Sequence, residues 1–348
     1  MNVKLFIILL ILPFHLDAQG FAGLGQTPEG FAQPAPDPIF SFPQDHGAHS
    51  DYRIEWWYLT ANLTGEDGLE YGLQWTLFRT SLAPEDKEGW ASSQLWMGHA
   101  AVTTPDAHYV TERLARGGVG QAGVRADPFE AWIDDWAFTG PFDRATLRAT
   151  GPAFGYDMTM QANGPLVFHG DAGYSRKSAN DQASYYYSQP YFQITGTLHL
   201  PDNDVRVVGD AWLDREWSSQ PLASDQTGWD WFSLSLKGGA KLMGFQLRGD
   251  DTYTSATWIE ADGTTTPFPN GAFSALPLGV TDIEGRKVPT LWQVQLPDKG
   301  IDVTVEAVNP NAWMETSVPY WEGPVRVNGS HQGRGYLEMT GYDGVTSQ

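Results

Sequence analysis

The stretch Asp210-Ala211-Trp212-Leu213-Asp214-Arg215-Glu216-Trp217 sets three carboxylates at even spacing beside two tryptophans. In an extended strand, residues two apart share a face, so Asp210, Trp212, Asp214 and Glu216 point one way and Ala211, Leu213, Arg215 and Trp217 the other. Carboxyls that converge raise one another's pKa, and a neighbouring indole raises it further by excluding water. A carboxyl in that state is a general acid near neutral pH. Asp214 and Glu216 are therefore the leading catalytic candidates, with Leu213 and Trp217 expected to pack inward between domains. The bland alternative is that Arg215 and a second arginine neutralise the acids, and the motif only staples strand to loop.

Two further acids sit among tryptophans: Glu55 precedes Trp56, and Asp230 lies between Trp229 and Trp231. Flanked by such bulk, an acid either faces outward by strand alternation or is buried with a partner, for which Arg79, Arg215 and Arg248 are available. His169 and His99 lie in apolar, strand-like contexts, where a neutral imidazole can act as a base or simply satisfy the core. His46 and His49, with Asp45, Asp51 and Glu55 nearby, have a spacing that could hold a hard or borderline metal. No third His is near, so they read first as hydrogen-bonding residues at a strand entrance, and neither metal nor cofactor is expected. Gly118-Val119-Gly120-Gln121-Ala122-Gly123 matches a dinucleotide pattern, but no buried strand precedes it and no clear helix follows. HExxH and GxSxG are absent, which removes the usual signatures of zinc peptidases and serine esterases.

The elements that must position these residues are strands. Segments rich in Trp, Tyr, Phe, Val, Ile and Thr alternate with Gly, Asp, Asn and Pro turns, while long 3.6-period stretches are hard to find. The opening hairpin Trp56–Leu63 with Gly72-Leu73-Gln74 is echoed by Trp229–Leu236 with Gly244-Phe245-Gln246, so two similar β halves in tandem are expected. The chain has 348 residues, room for two domains. It carries 42 Asp and Glu against 21 Lys and Arg, for a formal charge of −21, which repels phosphate backbones and argues against nucleic acid as a partner. With no Cys, disulfides, thiolate nucleophiles and thiolate metal sites are excluded, leaving carboxylate, His, Tyr and Trp for any chemistry.

Residues 1–20 read as a secretory signal peptide: Lys4 leads a short apolar run, Leu5–Phe14, followed by small residues suited to cleavage. The run is too short to span a bilayer, so no stable membrane insertion is expected after cleavage, and the protein should be periplasmic or secreted. Residues 21–45, with five Pro, read as an extended linker. An N-terminal domain over 46–217 and a C-terminal domain over 218–348 complete the division.

Several motifs in order carry a resemblance to a known family. They are His46-Gly-Ala-His49 running to Glu55-Trp56-Trp57-Tyr58, then Tyr185-Tyr186-Tyr187-Ser188, Gly209-Asp210 to Gln220, Gly228-Trp229-Asp230-Trp231-Phe232, Tyr320-Trp321-Glu322-Gly323 and Gly335-Tyr336-Leu337-Glu338-Met339. The pattern resembles the lipocalin-like CrtC/AttH family, which includes carotenoid 1,2-hydratases and secreted bacterial proteins often labelled hydrolases. The resemblance implies an all-β fold of two tandem lipocalin-like β-barrel domains with a pocket for an apolar small molecule. It departs from the hydratase branch at Arg215 and Glu216, where that branch tends to carry His and Asn. A carboxylic acid with a raised pKa would have to protonate carbon here, which ranks carotenoid hydration below a generic hydratase or hydrolase.

The expectation is thus an exported protein that binds a lipophilic small molecule. Asp214, Glu216, Glu55 and His169 are the catalytic candidates, and Trp56, Trp57, Tyr58, Tyr186, Trp212, Trp217, Trp229, Asp230 and Trp231 the ligand-binding ones. The rival is a non-catalytic lipid carrier or chaperone serving a cell-envelope transport system of the ABC type, which the resemblance also permits. Paired, buried carboxyls with shifted pKa would favour catalysis; an apolar pocket with only neutral polar groups would favour carriage.

Overall fold

The computed structural model describes residues 29–342 apart from 181, 221, 223 and 224; the signal-peptide reading of residues 1–20 lies outside them. Alternating apolar and polar residues, punctuated by turns, build two antiparallel sheets in tandem. The first has 13 strands running from Ile54 to Ser218, and the second has 10 running from Gly228 to Met339. Each curls around its own core into a near-barrel, as the resemblance implies. Trp57, Leu59, Leu73, Trp75, Trp136 and Leu213 belong to the first core, and Phe232, Leu234, Trp292, Val305 and Trp321 to the second. Among the described residues, no helix is long and apolar enough to cross a membrane.

Chain connectivity in the two halves is alike where it matters. In the first, the opening strand Ile54–Gly65 pairs both with its hairpin mate Glu70–Ser81 and with the closing strand Asp204–Ser218. In the second, Gly228–Leu236 pairs with Lys241–Arg248 and with the closing strand Gly333–Met339. The echo between the two Trp-rich hairpins is therefore a structural correspondence.

A third apolar cluster, drawn from both sheets, joins the barrels through Tyr58, Tyr186, Trp212, Trp231, Phe245 and Tyr336. Close approach there requires glycine: a Cβ on Gly72 would lie 2.6 Å from Pro324 and 2.8 Å from the Tyr336 hydroxyl of the opposite barrel. Ion pairs Arg334–Asp210 and Arg326–Glu70 edge the same seam.

The described part of the segment read as a linker is not free-standing. It has no strand, as its proline content requires, yet Phe40 packs against Phe168, Tyr187 and Trp217, and Phe42 against Tyr187 and His46. Aromatic side chains dock this stretch although its backbone contributes no ladder.

Candidate functional site

Strand alternation splits the sequence candidates between two environments. On the opening strand, Glu55 and Trp57 point into the first barrel while Trp56 and Tyr58 point toward the second. On the closing strand, Leu213 and Arg215 point inward while Trp212, Asp214 and Glu216 point outward. The register sets Tyr58 opposite Asp214 and Trp56 opposite Glu216. The second barrel does the same from its side: Trp229 and Trp231 face the first barrel, Asp230 faces inward, and Trp231 lies opposite Glu338.

These facing surfaces enclose a cavity of about 500 Å³ between the barrels. Trp56, Tyr58, Tyr186, Trp229, Trp231, Asp214 and Glu216 line it, as sequence reasoning expected of pocket residues, and Glu338 joins them. The expectation that Leu213 and Trp217 pack between the domains is reversed. Leu213 fills the first barrel, Trp217 stacks on His49 beneath Phe40, and the acid face is the one turned to the seam.

Asp214 is held from three sides. Trp212 Nε1 donates to Oδ1 at 2.6 Å, Ser188 donates to the same oxygen, and the Tyr186 hydroxyl donates to Oδ2 at 2.5 Å. Behind them, Trp231 Nε1 donates to the Tyr186 hydroxyl at 3.0 Å, and His169 Nε2 meets Ser188 Oγ at 2.6 Å. Burial pushes the Asp214 carboxyl up to about 7, against the three donors, with the nearby Glu216 charge adding to the rise. Glu338 accepts from Trp229 Nε1 at 2.7 Å. Burial likewise pushes it up to about 7, and the Asp214 and Glu216 charges add to that. Glu216 is engaged by Ser184 and by Lys177 Nζ at 2.7 Å, the lysine lying over the Tyr186 and Phe245 rings.

Of the remaining candidates, His99 also lines the cavity, bonded to the Tyr320 hydroxyl and to Glu112, each at 3.0 Å, and the others lie off the wall. His169 stands behind Asp214, bonded to Ser188 and to Thr257 Oγ1 at 3.0 Å; burial lowers its pKa to about 3, so it is neutral. Trp212 reaches the site only through its bond to Asp214. Glu55 is not brought to the cavity. It sits inside the first barrel, paired with Arg79 Nε at 3.0 Å, Arg215 Nη2 at 2.7 Å and His49 Nδ1 at 2.6 Å. Arg215 stacks 3.9 Å over Trp57, which is core rather than lining. Asp230 is likewise interior, bonded to Gln246 Nε2 at 2.8 Å, Arg248 Nε at 3.1 Å and Tyr342 at 3.1 Å. In both places an arginine two strand positions from a Trp-flanked acid provided the partner.

The weak metal candidates have other occupations. His46 Nδ1 bonds the Tyr187 hydroxyl at 2.8 Å and its ring stacks on Phe142 at 3.6 Å, while both nitrogens of His49 are taken by Asp45 and Glu55. Among the described residues, no group of three or more His, Cys, Asp or Glu is placed to hold a metal ion.

Glu338 was missed as a site residue, although its motif was noticed. The hairpin echo was the available signal: if Trp229 and Trp231 repeat Trp56 and Tyr58, the second closing strand should carry an acid as the first one does.

A family model described as AttH-like matches residues 33–342. Among solved structures, one assigned to AttH from Nitrosomonas europaea matches at a TM-score of 0.81 and 33% identity, covering 90% of this chain and 100% of that one. Kievitone hydratase from Nectria haematococca shares the fold at a TM-score of 0.66 and 14% identity, over 91% of this chain and 97% of that one. No curated protein matches the chain. A match running from residue 33 to residue 342, through both barrels and the cavity they enclose, makes this chain a member of the AttH-like family.

Proposed function

We propose that the inter-barrel cavity takes up a lipophilic small molecule and adds water across one of its carbon–carbon double bonds. The observation that carries this reading is the pair of cavity acids, Asp214 and Glu338, one from each barrel, both held up to about 7. An unactivated double bond needs an acid able to protonate carbon and a base to take a proton from the attacking water. Because the two charges oppose each other, one carboxyl is protonated while the other is ionised near neutral pH. Three donors favour the carboxylate on Asp214, so Glu338 is assigned as the acid and Asp214 as the base. The Glu338 proton goes to one alkene carbon, whose π pair forms the new C–H bond. Water's lone pair then closes on the carbocation, and its released proton passes to Asp214, leaving an alcohol.

The volume suits a small ligand, and aromatic walls reward hydrocarbon burial by about 25 cal/mol per Å² before the cost of association. A fold relative whose name is that of a hydratase agrees with the class of chemistry. Export of the protein to the periplasm or beyond, with residues 1–20 removed, belongs to the same reading; N-terminal sequencing of the exported protein that found Met1 would defeat it.

Tryptophan emission titrated with farnesol, retinol and oleic acid tests binding, and mass spectrometry of the extracted ligand tests chemistry. A saturable change and a product gaining one water, lost in Glu338→Gln and in Asp214→Asn, is the expected result. Flat titrations with all three would sink it. Saturable binding that returns every ligand unaltered would replace it with the carrier, for which an ABC-type system is the natural partner.

A further inference from the structure

The cavity has two unlike ends, and strand register fixes the axis between them. Across the first sheet Glu216 pairs with Trp56, Trp56 with Phe78, and Phe78 with Met97 on the strand Gln94–Thr103. All four side chains line the cavity. Three strand spacings separate Glu216 from Met97, a span of about 14 Å. In the other direction the row continues to Tyr186 on the strand Ala183–His199. Lys177, just past the next strand over, Tyr174–Arg176, reaches back across the Tyr186 ring to Glu216.

The Met97 end is apolar, and the polar atoms near it are engaged with one another. Ser317 of the second barrel contacts the Met97 sulfur at 4.0 Å and brings Val318 and Pro319 to the wall. Its hydroxyl donates to Glu112 at 2.6 Å, and the two ring nitrogens of His99 are taken by Tyr320 and Glu112. The Lys177 end is different. Lys177 Nζ directs one of its three N–H donors to Glu216 Oε1, 2.7 Å away, and Ser184 donates to the same oxygen. Both bonds fall on Oε1, so Oε2 remains an acceptor, and the ammonium keeps donors to spare over the Tyr186 and Phe245 rings. A ligand that covers this pair with hydrocarbon strips water from both charges and gives no hydrogen bond in return.

We propose that the cavity selects an uncharged amphiphile whose terminal hydroxyl docks between Lys177 and Glu216 and whose hydrocarbon tail runs across the strands to Phe78 and Met97. The hydroxyl oxygen accepts from Lys177 Nζ, and its O–H donates to Glu216 Oε2. A carboxylate head has no proton to donate, and it sets a further negative charge beside Glu216 in an enclosure that also holds Asp214 and Glu338. An ether head accepts but cannot donate. This assignment rests on the reading of the cavity as a site for lipophilic ligands and is independent of what is done to them there.

Three ligands with one chain and different heads test it: farnesol, its methyl ether and farnesoic acid, titrated at pH 7 against tryptophan emission. Farnesol should bind at least about tenfold more tightly than either of the others, as expected of a site whose buried polar groups need a donor and an acceptor. Glu216→Gln leaves Lys177 without its counter-charge, and farnesoate should then gain at least about tenfold on farnesol. If that variant does not fold, Lys177→Met removes the donor and should weaken farnesol at least about fivefold. Equal affinities for the three heads, or affinities that neither folded variant alters, would overturn the head-group site. Farnesol bound with the expected preference and recovered unaltered would defeat hydration while leaving the site standing. Water added to farnesoate as readily as to farnesol would do the reverse, and flat titrations with all three would overturn both.

Discussion

Glu55 and Asp214 lie on adjacent, directly paired strands of one sheet, both are almost wholly enclosed, and their carboxyls are driven in opposite directions. Burial pushes both up. For Glu55 that push is outweighed by the charges of His49, Arg215 and Arg79, which hold it well below the usual carboxylate range. Asp214 has only neutral donors, so burial wins. Enclosure alone therefore says little about what a carboxyl does, and the charge state of its neighbours decides. Inside the barrel the acid is held ionised among cations; at the seam burial holds it up to about 7.

Glu55→Gln should break this comparison most severely. It leaves Arg79 and Arg215 buried without a counter-charge, at a cost of about 3–5 kcal/mol. Urea unfolding read by circular dichroism measures it, and a loss below 1 kcal/mol would mean the cluster is not a structural tie. Asp214→Asn should do the reverse: turnover of an identified ligand falls at least about a hundredfold, while stability at pH 7 moves by no more than about 1 kcal/mol. Unfolding without loss of specific turnover would make Asp214 structural too.

Next in size comes the dependence of stability on pH. The raised pKa values of Asp214 and Glu338 mean that the folded chain binds more protons than the unfolded one between about pH 4 and 7. Each group's contribution is full below its unfolded value and is lost as pH rises through that window, at up to about 1.4 kcal/mol per pH unit. The depressed Glu55 works the other way, contributing above its unfolded value and fading as pH falls through its folded one. Stability should thus decline on both sides of a maximum near pH 4–5, with Asp214→Asn or Glu338→Gln flattening the neutral limb. A neutral limb unchanged in both variants would show that the cavity acids ionise as ordinary carboxyls. The smallest effect is reserved for Tyr186→Phe. Removing a donor that favours the Asp214 carboxylate should raise its midpoint by a fraction of a pH unit to about one unit, and a lowered midpoint would contradict the assigned bond.

Much of this was legible in the sequence because strand alternation is a local rule. The split of Asp214 and Glu216 from Leu213 and Arg215 follows from spacing alone, and so does the β class. Which face is the barrel interior was not legible. Both faces of Asp210–Trp217 carry large apolar residues, and only the arrival of a second barrel decides that the Trp212 face is covered by protein. Glu55 showed the same limit, since its two arginines come from different strands, 24 and 160 residues away. Glu338 escaped because its meaning depends on pairing beside Trp231 from a strand about a hundred residues further along the chain, and on a first barrel that covers that face.

Infrared titration of the carboxyl C=O bands of the intact protein tests the central contrast most directly. Two bands should disappear with midpoints near 7 as pH rises, one absent in Asp214→Asn and the other in Glu338→Gln, while no Glu55 band is present anywhere above pH 4. Midpoints below pH 5 for both cavity acids, in a protein still folded, would contradict the account.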